Sequence, residues 1–400
     1  MKNNSFDIEW VREQFPALKN NVAFMDNAGG SQTLKTVMDR ITEYLTHYDV
    51  QLGASYLTSQ VASARLEESK VSLQSWVNAK HSEEIMIGSS TTLLLRILSL
   101  CISQNWRKGD EIIITNTDHE ANMAPWRDLQ KAGFIVKTWK INPNTYHLEL
   151  NDLESLMSEK TKLVALTHTS NILGTINPIK DIANLVHSHN ALICVDGVAF
   201  APHRLVDVQE LDVDFYVFST YKTFGPHQAI MYGRLDHLEA INGINHAFID
   251  SIPYKFQPGN LNYELSYSLA AIPDYVKRLG NNDLAKGFEE IADYEQELAN
   301  HLLNYLNSNP NITVIGETSA NKNLRVSTIS FVHKNLNSQH IVEKVDAHDI
   351  GIRFGDFYAV ELIDDLGLRQ NNGVVRVSLV HYNTIDEIEN LISIFKKELN

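Results

Sequence analysis

Between residues 83 and 234, short apolar runs alternate with stretches whose apolar residues recur every three or four positions. The runs are EEIMIG (83–88), DEIIIT (110–115), FIVKTW (134–139), KLVALTH (162–168), ALICVD (191–196), DFYVFS (214–219) and QAIMYG (228–233). Several are almost continuously apolar, the pattern of strands buried on both faces of a mainly parallel sheet. Intervening segments such as PIKDIANLVHSHN carry the period of crossover helices. The expectation is a three-layer α/β domain over residues 25–265, built on a mainly parallel seven-stranded sheet.

After about residue 265 the pattern changes. A long helical stretch (267–306) leads to a strand at 324–332, a helix near 340–347, a strand in GVVRVSLVHY and a last amphipathic helix at 385–399. These predict a smaller α+β domain over 266–400, joined by residues 1–24. No Gly/Ser- or Pro-rich linker separates the two parts, so they are expected to pack closely.

Composition narrows the picture. The 400 residues are 44% hydrophobic and 21% charged, ordinary for a globular chain long enough for two cores. With 34 basic and 49 acidic residues the net charge is −15, which argues against a nucleic-acid or anionic-membrane surface. Cys101 and Cys194 sit in apolar runs and read as buried thiols in a reducing compartment. The N-terminus, MKNNSFDIEW, lacks a signal-peptide apolar core. The most apolar stretch, 93–102, is interrupted by Arg96 and too short to span a bilayer. The cytoplasm is the expected compartment.

Ligands of open α/β sheets bind at the carboxyl ends of the strands. The first run ends in Ser89, Ser90, Thr91 and Thr92 before a helix, an anion site suited to a phosphate or an ordinary helix cap. The second leads to His119, able to stack on an aromatic cofactor or to be a satisfied loop histidine. The fourth leads to Asn171, a donor to a phenolate oxygen or a turn former. The fifth ends in Asp196. A carboxylate there is costly unless a cation such as a protonated pyridine pairs with it; a helix cap is the plainer alternative. The sixth runs into Ser219, Tyr221 and Lys222, where burial would lower the lysine pKa and make its amine nucleophilic; a solvated loop lysine is the other reading. Each signal is weak alone. Together they supply the parts that pyridoxal 5′-phosphate needs.

On these residues the chain resembles the class V aminotransferases, the fold-type I branch of pyridoxal-phosphate enzymes that includes the cysteine desulfurases. The resemblance is carried by FPALKNNVAFMDNAGGS, TDHEANMAPW, THTSNILGTINPI, VDGVAFAPHRLVDVQELDVDFYVFSTYKTFGPH and VVRVSLVHYNT, nearly the whole chain. It implies that Lys222 is the Schiff-base lysine, Asp196 the pyridinium partner, His119 the stacking residue and Asn171 a contact to the phenolic side. Thr91, Thr92 and Ser219 match phosphate-cradle positions, Ser90 is expected to join them, and Tyr221, which stands where the family has a histidine, can still supply a hydroxyl to the phosphate. Arg376 matches the arginine that clamps the substrate α-carboxylate, a role suited to a planar guanidinium. His203 falls at the family histidine that follows the aspartate strand; apart from the resemblance, Asn27 and Ala28 are expected to contact the substrate, and Arg353 and Tyr358 to be pocket residues that shape substrate choice. The resemblance also implies a homodimer, with Asn260 reaching the neighbouring subunit's phosphate.

Departures from the family pattern bear on the reaction. The stretch IGIRFGDFYAVEL has Tyr358 where desulfurases carry their sulfur-accepting cysteine, and Ala199 stands where a glutamine is expected. Persulfide formation is therefore not expected. The expectation is an enzyme acting at Cα of an amino acid, leaning to β-elimination of the carbon–sulfur lyase type. Transamination with an α-keto acid acceptor and epimerisation are the alternatives. A nucleotide enzyme is disfavoured by the absence of G-x-G-x-x-G and G-x-x-x-x-G-K-[ST]. A non-catalytic binding protein is disfavoured by the intact Lys222, Asp196 and His119. No metal site is expected, and the pair His187 and His189 reads as a solvated helix end.

Overall fold

The computed structural model of the protein describes residues 6–20 and 22–399. The expected domain ranges and the N-terminal MKNNSFDIEW reading also include residues 1–5, 21 and 400, which lie outside the described residues. All seven apolar runs join one sheet: β1 (Ile85–Gly88), β2 (Glu111–Thr115), β3 (Ile135–Trp139), β4 (Thr161–Thr167), β5 (Leu192–Asp196), β6 (Phe215–Ser219) and β7 (Ala229–Gly233). Their spatial order is β1-β7-β6-β5-β4-β2-β3. Only β7 runs antiparallel to its neighbours in this sheet. The carboxyl ends of β1, β2, β4, β5 and β6 therefore share one edge.

The continuous apolarity of these strands has a direct cause. Side chains alternate between faces, and helices cover both faces, so neither set is free to be polar. Val164, Leu166, Val195 and Phe218 enter one core, whereas Leu163, Ala165, Cys194 and Val217 enter the other. Both cysteines are buried. The segment PIKDIANLVHSHN forms the helix Ile179–Ser188, which buries Ile179, Ile182, Ala183 and Val186.

The C-terminal part builds an antiparallel sheet from β8 (Ile312–Ile315), β9 (Thr328–His333), β10 (Arg353–Gly355) and β11 (Val374–Ser378), in the order β10-β11-β9-β8. Helices Leu284–Ser308, Ser338–Asp346 and Ile385–Glu398 pack on it. Leu298, Leu302, Ile329, Phe331, Val377, Leu391 and Phe395 share its core. The N-terminal pair Ala23–Phe24 aligns in parallel with Ile350–Gly351, which brings the following turn, residues 26–30, beside β11.

Three expectations need correction. The stretch 267–306 is three helices, Tyr263–Ser268, Ala271–Leu279 and Leu284–Ser308. It breaks where Asn281 and Asn282 take φ of 56° and 71°, and where Asp283 accepts the Lys286 N–H at 3.1 Å to cap the next helix. The strand expected at 324–332 starts only at Thr328, because the Arg325 guanidinium turns back onto the carbonyls of Glu317 and Thr328. His187 is only partly solvated. Its Nε2 lies 3.0 Å from Oδ2 of the fully buried Asp214, which also accepts the Ile193 N–H at 2.8 Å and lies 2.9 Å from His237 Nε2. His189 faces the Leu185 carbonyl. Among the described residues no helix is long and apolar enough to cross a membrane, and no group of three or more His, Cys, Asp or Glu is placed to hold a metal ion.

Candidate active site

The shared strand edge opens into a pocket with about 520 Å³ of empty space. Ser90, Thr91, Thr92, His119, Asn171, Asp196, Ser219, Tyr221 and Lys222 all line it. Thr167, Thr169, Ala121, Val198 and Ala199 complete the wall. Residues separated by up to 132 positions thus meet because five parallel strands end together.

At one part of the wall, Ser90 caps the helix Thr91–Ile102, its Oγ accepting the Leu93 N–H at 3.2 Å. The cap leaves the first-turn N–H groups of Thr91 and Thr92 facing the pocket region, the arrangement that binds anions. Thr91 Oγ1 and Ser219 Oγ are 2.7 Å apart, which ties this helix start to the end of β6. Tyr221 stacks on His227 with ring centroids 4.8 Å apart.

Asp196 ends β5 with its carboxylate buried, and one oxygen accepts the Val198 N–H at 2.9 Å. Burial pushes its pKa up to about 6, against the pull of that N–H and of Lys222. Lys222 follows β6 in a short 3₁₀ turn, Thr220–Lys222. Burial, and then the positive charge of Arg376, lower its pKa to about 8; Asp196 and Asp26 act in the opposite sense. His119 Nδ1 accepts the Ala121 N–H at 3.0 Å, which leaves Nε2 as the protonated nitrogen. Burial, with Lys222 and Arg376 nearby, holds its pKa down to about 4, so the ring is neutral.

A loop from the C-terminal sheet closes over these groups. Phe357 and Tyr358 take φ of 50° and 62°. The Phe357 carbonyl accepts Asn171 Nδ2 at 2.9 Å, and the Tyr358 carbonyl accepts the Glu120 N–H at 2.8 Å. The Tyr358 ring centroid lies 5.3 Å from that of His119, with 67% of the residue exposed. Arg376, on β11, is buried beside the pocket. It pairs with Asp26 at 2.7 Å, donates to the Asn171 carbonyl at 3.3 Å and stacks on Phe357 at 3.6 Å. Arg353 lies at the surface, 3.7 Å from Asp26.

Seven of the expected residues are not part of the pocket wall: Arg376, Arg353 and Tyr358, described above, and four more. His203 is buried against Glu295, its Nδ1 2.8 Å from the carboxylate. Asn27 donates to the Phe24 and Ser378 carbonyls and accepts from the Tyr382 hydroxyl, so its amide is engaged in the fold. Ala28 offers its N–H to Ser378 Oγ at 2.9 Å. Asn260 is exposed, 3.2 Å from Gln51.

Two neighbours had not stood out in the sequence. Asp118, buried behind His119, accepts from Asn122 Nδ2 at 2.6 Å and from Thr115, and burial pushes its pKa up to about 8. Its place beside the histidine was the available signal. Asp26 sits in a turn-forming Asp-Asn pair, and nothing local marks its partnership with an arginine 350 positions away.

The pocket fits a flat anionic cofactor. Thr169 Oγ1, Asn171 Oδ1 and Arg376 Nε are buried without hydrogen-bond partners. Such orphaned groups are costly unless a polar ligand meets them. An anion-binding helix start, a neutral imidazole, an amine of lowered pKa and a buried carboxylate match the phosphate, ring, aldehyde and pyridine nitrogen of pyridoxal phosphate.

Comparison with known proteins gives the same family. The model described as aminotransferase class-V matches residues 23–391. An aminotransferase-like protein of Gibberella zeae is 44% identical over 98% of each chain. A cysteine desulfurase-like protein of Aspergillus flavus is 33% identical over 96% of this chain and 89% of its own. The apo structure of a cysteine desulfurase from Thermococcus onnurineus superposes with a TM-score of 0.89, at 26% identity and 98% coverage of both chains. The seven-stranded sheet with its C-terminal α+β part is thus the fold-type I architecture, and the chain belongs to the class V aminotransferase family of pyridoxal-phosphate enzymes.

Proposed function

We propose that the protein acts at Cα of a free amino acid and expels a substituent from Cβ, with Lys222 as both Schiff-base lysine and proton-transfer base. The observation that supports chemistry at Cα is the placement of Lys222 and Asp196 on one pocket, at the ends of paired strands β6 and β5, beside a neutral His119. Bound pyridoxal phosphate supplies an electron sink in conjugation with the substrate's Cα. The chain's own residues do the rest.

In this reading Ser90, Thr91, Thr92, Ser219 and Tyr221 hold the phosphate at the helix start. His119 would offer its neutral ring to the cofactor's ring, and Asn171 would contact its phenolic side. The Asp196 carboxylate keeps a proton on the pyridine nitrogen, since opposite charges stabilise one another in a dry site. Arg376 receives the α-carboxylate. Lys222, with its pKa lowered to about 8, has enough free amine near neutrality to take the Cα proton. The electron pair left at Cα then forms the Cα–Cβ double bond, and the β-substituent departs with its bonding pair. Arg353 and Tyr358 bound the space for that substituent. The family reading also includes a homodimer, in which the exposed Asn260 loop meets the neighbouring subunit's cradle.

Expulsion is favoured over sulfur transfer by the state of the thiols. Cys101 is buried with its pKa pushed up to about 11, and burial likewise pushes the Cys194 thiol well above its usual range. Neither offers a thiolate to attack sulfur. Amino transfer is the second reading, favoured by the aminotransferase-like relative from Gibberella zeae.

Incubation of the holoenzyme with a panel of amino acids, with and without an α-keto acid acceptor, separates the two. Keto acid and ammonia released without an acceptor are expected. Turnover that requires the acceptor would overturn elimination in favour of transfer.

A further inference from the structure

We propose that Asp26 is a resident carboxylate that occupies the Arg376 clamp and is displaced by the substrate's carboxylate; this rests on the reading of Arg376 as that clamp. Asp26 is then a specificity-determining residue, because every ligand must compete with it.

The geometry starts from two strands. Arg353 on β10 and Arg376 on β11 are directly paired across the sheet. Like charges in that position repel. The Asp26 carboxylate lies between them, Oδ1 at 2.7 Å from Arg376 Nη2 and Oδ2 at 3.7 Å from Arg353 Nη1. A single carboxylate therefore lies against both cations and offsets part of their charge. It does so from the chain itself.

The Arg376 pairing is incomplete. A guanidinium binds a carboxylate best along one edge, with two parallel N–H donors. Asp26 takes only Nη2, Nη1 is turned to the Asn171 carbonyl at 3.3 Å, and Nε is buried with no partner. The ring of Phe357 covers one face at 3.6 Å, and the Arg376 side chain is only 2% exposed. An incoming carboxylate that bridges Nε and Nη2 would satisfy the orphaned donor, but only after Asp26 leaves Nη2.

Asp26 has somewhere to go. Its side chain is 29% exposed, whereas Arg353, next to it, is 60% exposed. The backbone around it is fixed by the Gly29 N–H to Asp26 carbonyl bond (3.0 Å) and the Asn27 N–H to Ser378 carbonyl bond (3.3 Å). Side-chain rotation alone is needed. Gly29 accommodates the resident position, since a Cβ there would lie 2.9 Å from Asp26 Oδ2. The carboxylate shifts wholly onto Arg353 as the substrate takes Arg376, so neither guanidinium is left without an anion.

The alternative is that Asp26 permanently orients Arg376, and the two accounts predict opposite signs. Propionate, an inert carboxylate, is titrated calorimetrically into the holoenzyme and into its Asp26→Asn and Arg376→Gln variants. Displacement predicts that Asp26→Asn binds propionate about tenfold more tightly than the wild type, since one charge-assisted competitor is gone. Unchanged, weaker or undetectable binding by a folded Asp26→Asn protein overturns the proposal. Arg376→Gln is expected to lose propionate binding. If it binds as the wild type does, the clamp reading itself fails, whatever Asp26 does. Should Asp26→Asn not fold, a crystal structure of the wild-type holoenzyme soaked in propionate decides: propionate on Arg376 with Asp26 moved to Arg353 supports displacement, and both carboxylates on Arg376 together overturn it.

Discussion

At Lys222, burial and charge oppose one another. The amine sits at the end of a dry strand near a guanidinium, and its pKa falls to about 8 even though Asp196 and Asp26 pull the other way. Only the free amine attacks an aldehyde. The rate at which ligand-free protein captures pyridoxal phosphate should therefore rise with pH and reach half its plateau near about 8, followed by absorbance in stopped flow. A midpoint in the ordinary lysine range would contradict the burial argument. The same shift has a stability consequence. Between about 8 and the ordinary lysine pKa the unfolded chain binds more protons than the folded one, so the ligand-free protein gains stability as pH rises through that window. Asp196 acts in the opposite sense at lower pH. Its pKa is raised to about 6, so its protonated form stabilises the ligand-free fold below the ordinary carboxylate range, and that contribution is lost as pH rises through about 6.

Two elements are held by polar groups that hydrophobic patterning does not report. At the amino end of β6, Asp214 is fully buried and is met by the Ile193 N–H, His187, His237 and, at 3.6 Å, Arg234. These contacts hold the carboxylate pKa far below its usual range despite burial. Asp214→Ala would leave the Ile193 N–H and the Nε2 atoms of His187 and His237 without their carboxylate partner, while Arg234 keeps Asp212, and should cost roughly 1–3 kcal/mol in denaturant unfolding. Asp214 lies at the opposite end of β6 from Lys222, so cofactor capture by the folded fraction should be unaltered. A loss below about 1 kcal/mol would mean the cluster is solvated after all. The loop at 355–358 is the second such element. Positive φ at two aromatic residues costs on the order of 1–3 kcal/mol each. The Asn171 and Glu120 hydrogen bonds, and the stacking of Arg376 on Phe357, hold it over the site.

Across the whole molecule, the large sheet was legible because its strands are buried on both faces, which removes polar residues from them. The pocket was legible because parallel strands deliver their carboxyl ends to one edge, so His119, Asn171, Asp196 and Lys222 could be read off in order. Other features were hidden for physical reasons. The helix Leu57–Trp76 buries Ser59, Ala62 and Ser69 among its apolar residues, which blurs its periodicity. The link from Asp26 to Arg376 spans most of the chain and has no local signature. His203 and Asn27 carried expected roles, yet their polar atoms are engaged in packing the two parts of the chain together. A sequence pattern reports which face is dry. It does not report which polar partner lies on the other side.

The central claim is that Lys222 holds the cofactor. Borohydride reduction of the purified holoenzyme, followed by proteolysis and mass spectrometry, tests it most directly. The account predicts a phosphopyridoxyl group on the peptide containing Lys222, and none on that peptide from a Lys222→Ala variant. A stable adduct on another lysine, or a wild-type protein that yields no adduct in the presence of excess pyridoxal phosphate, would contradict it.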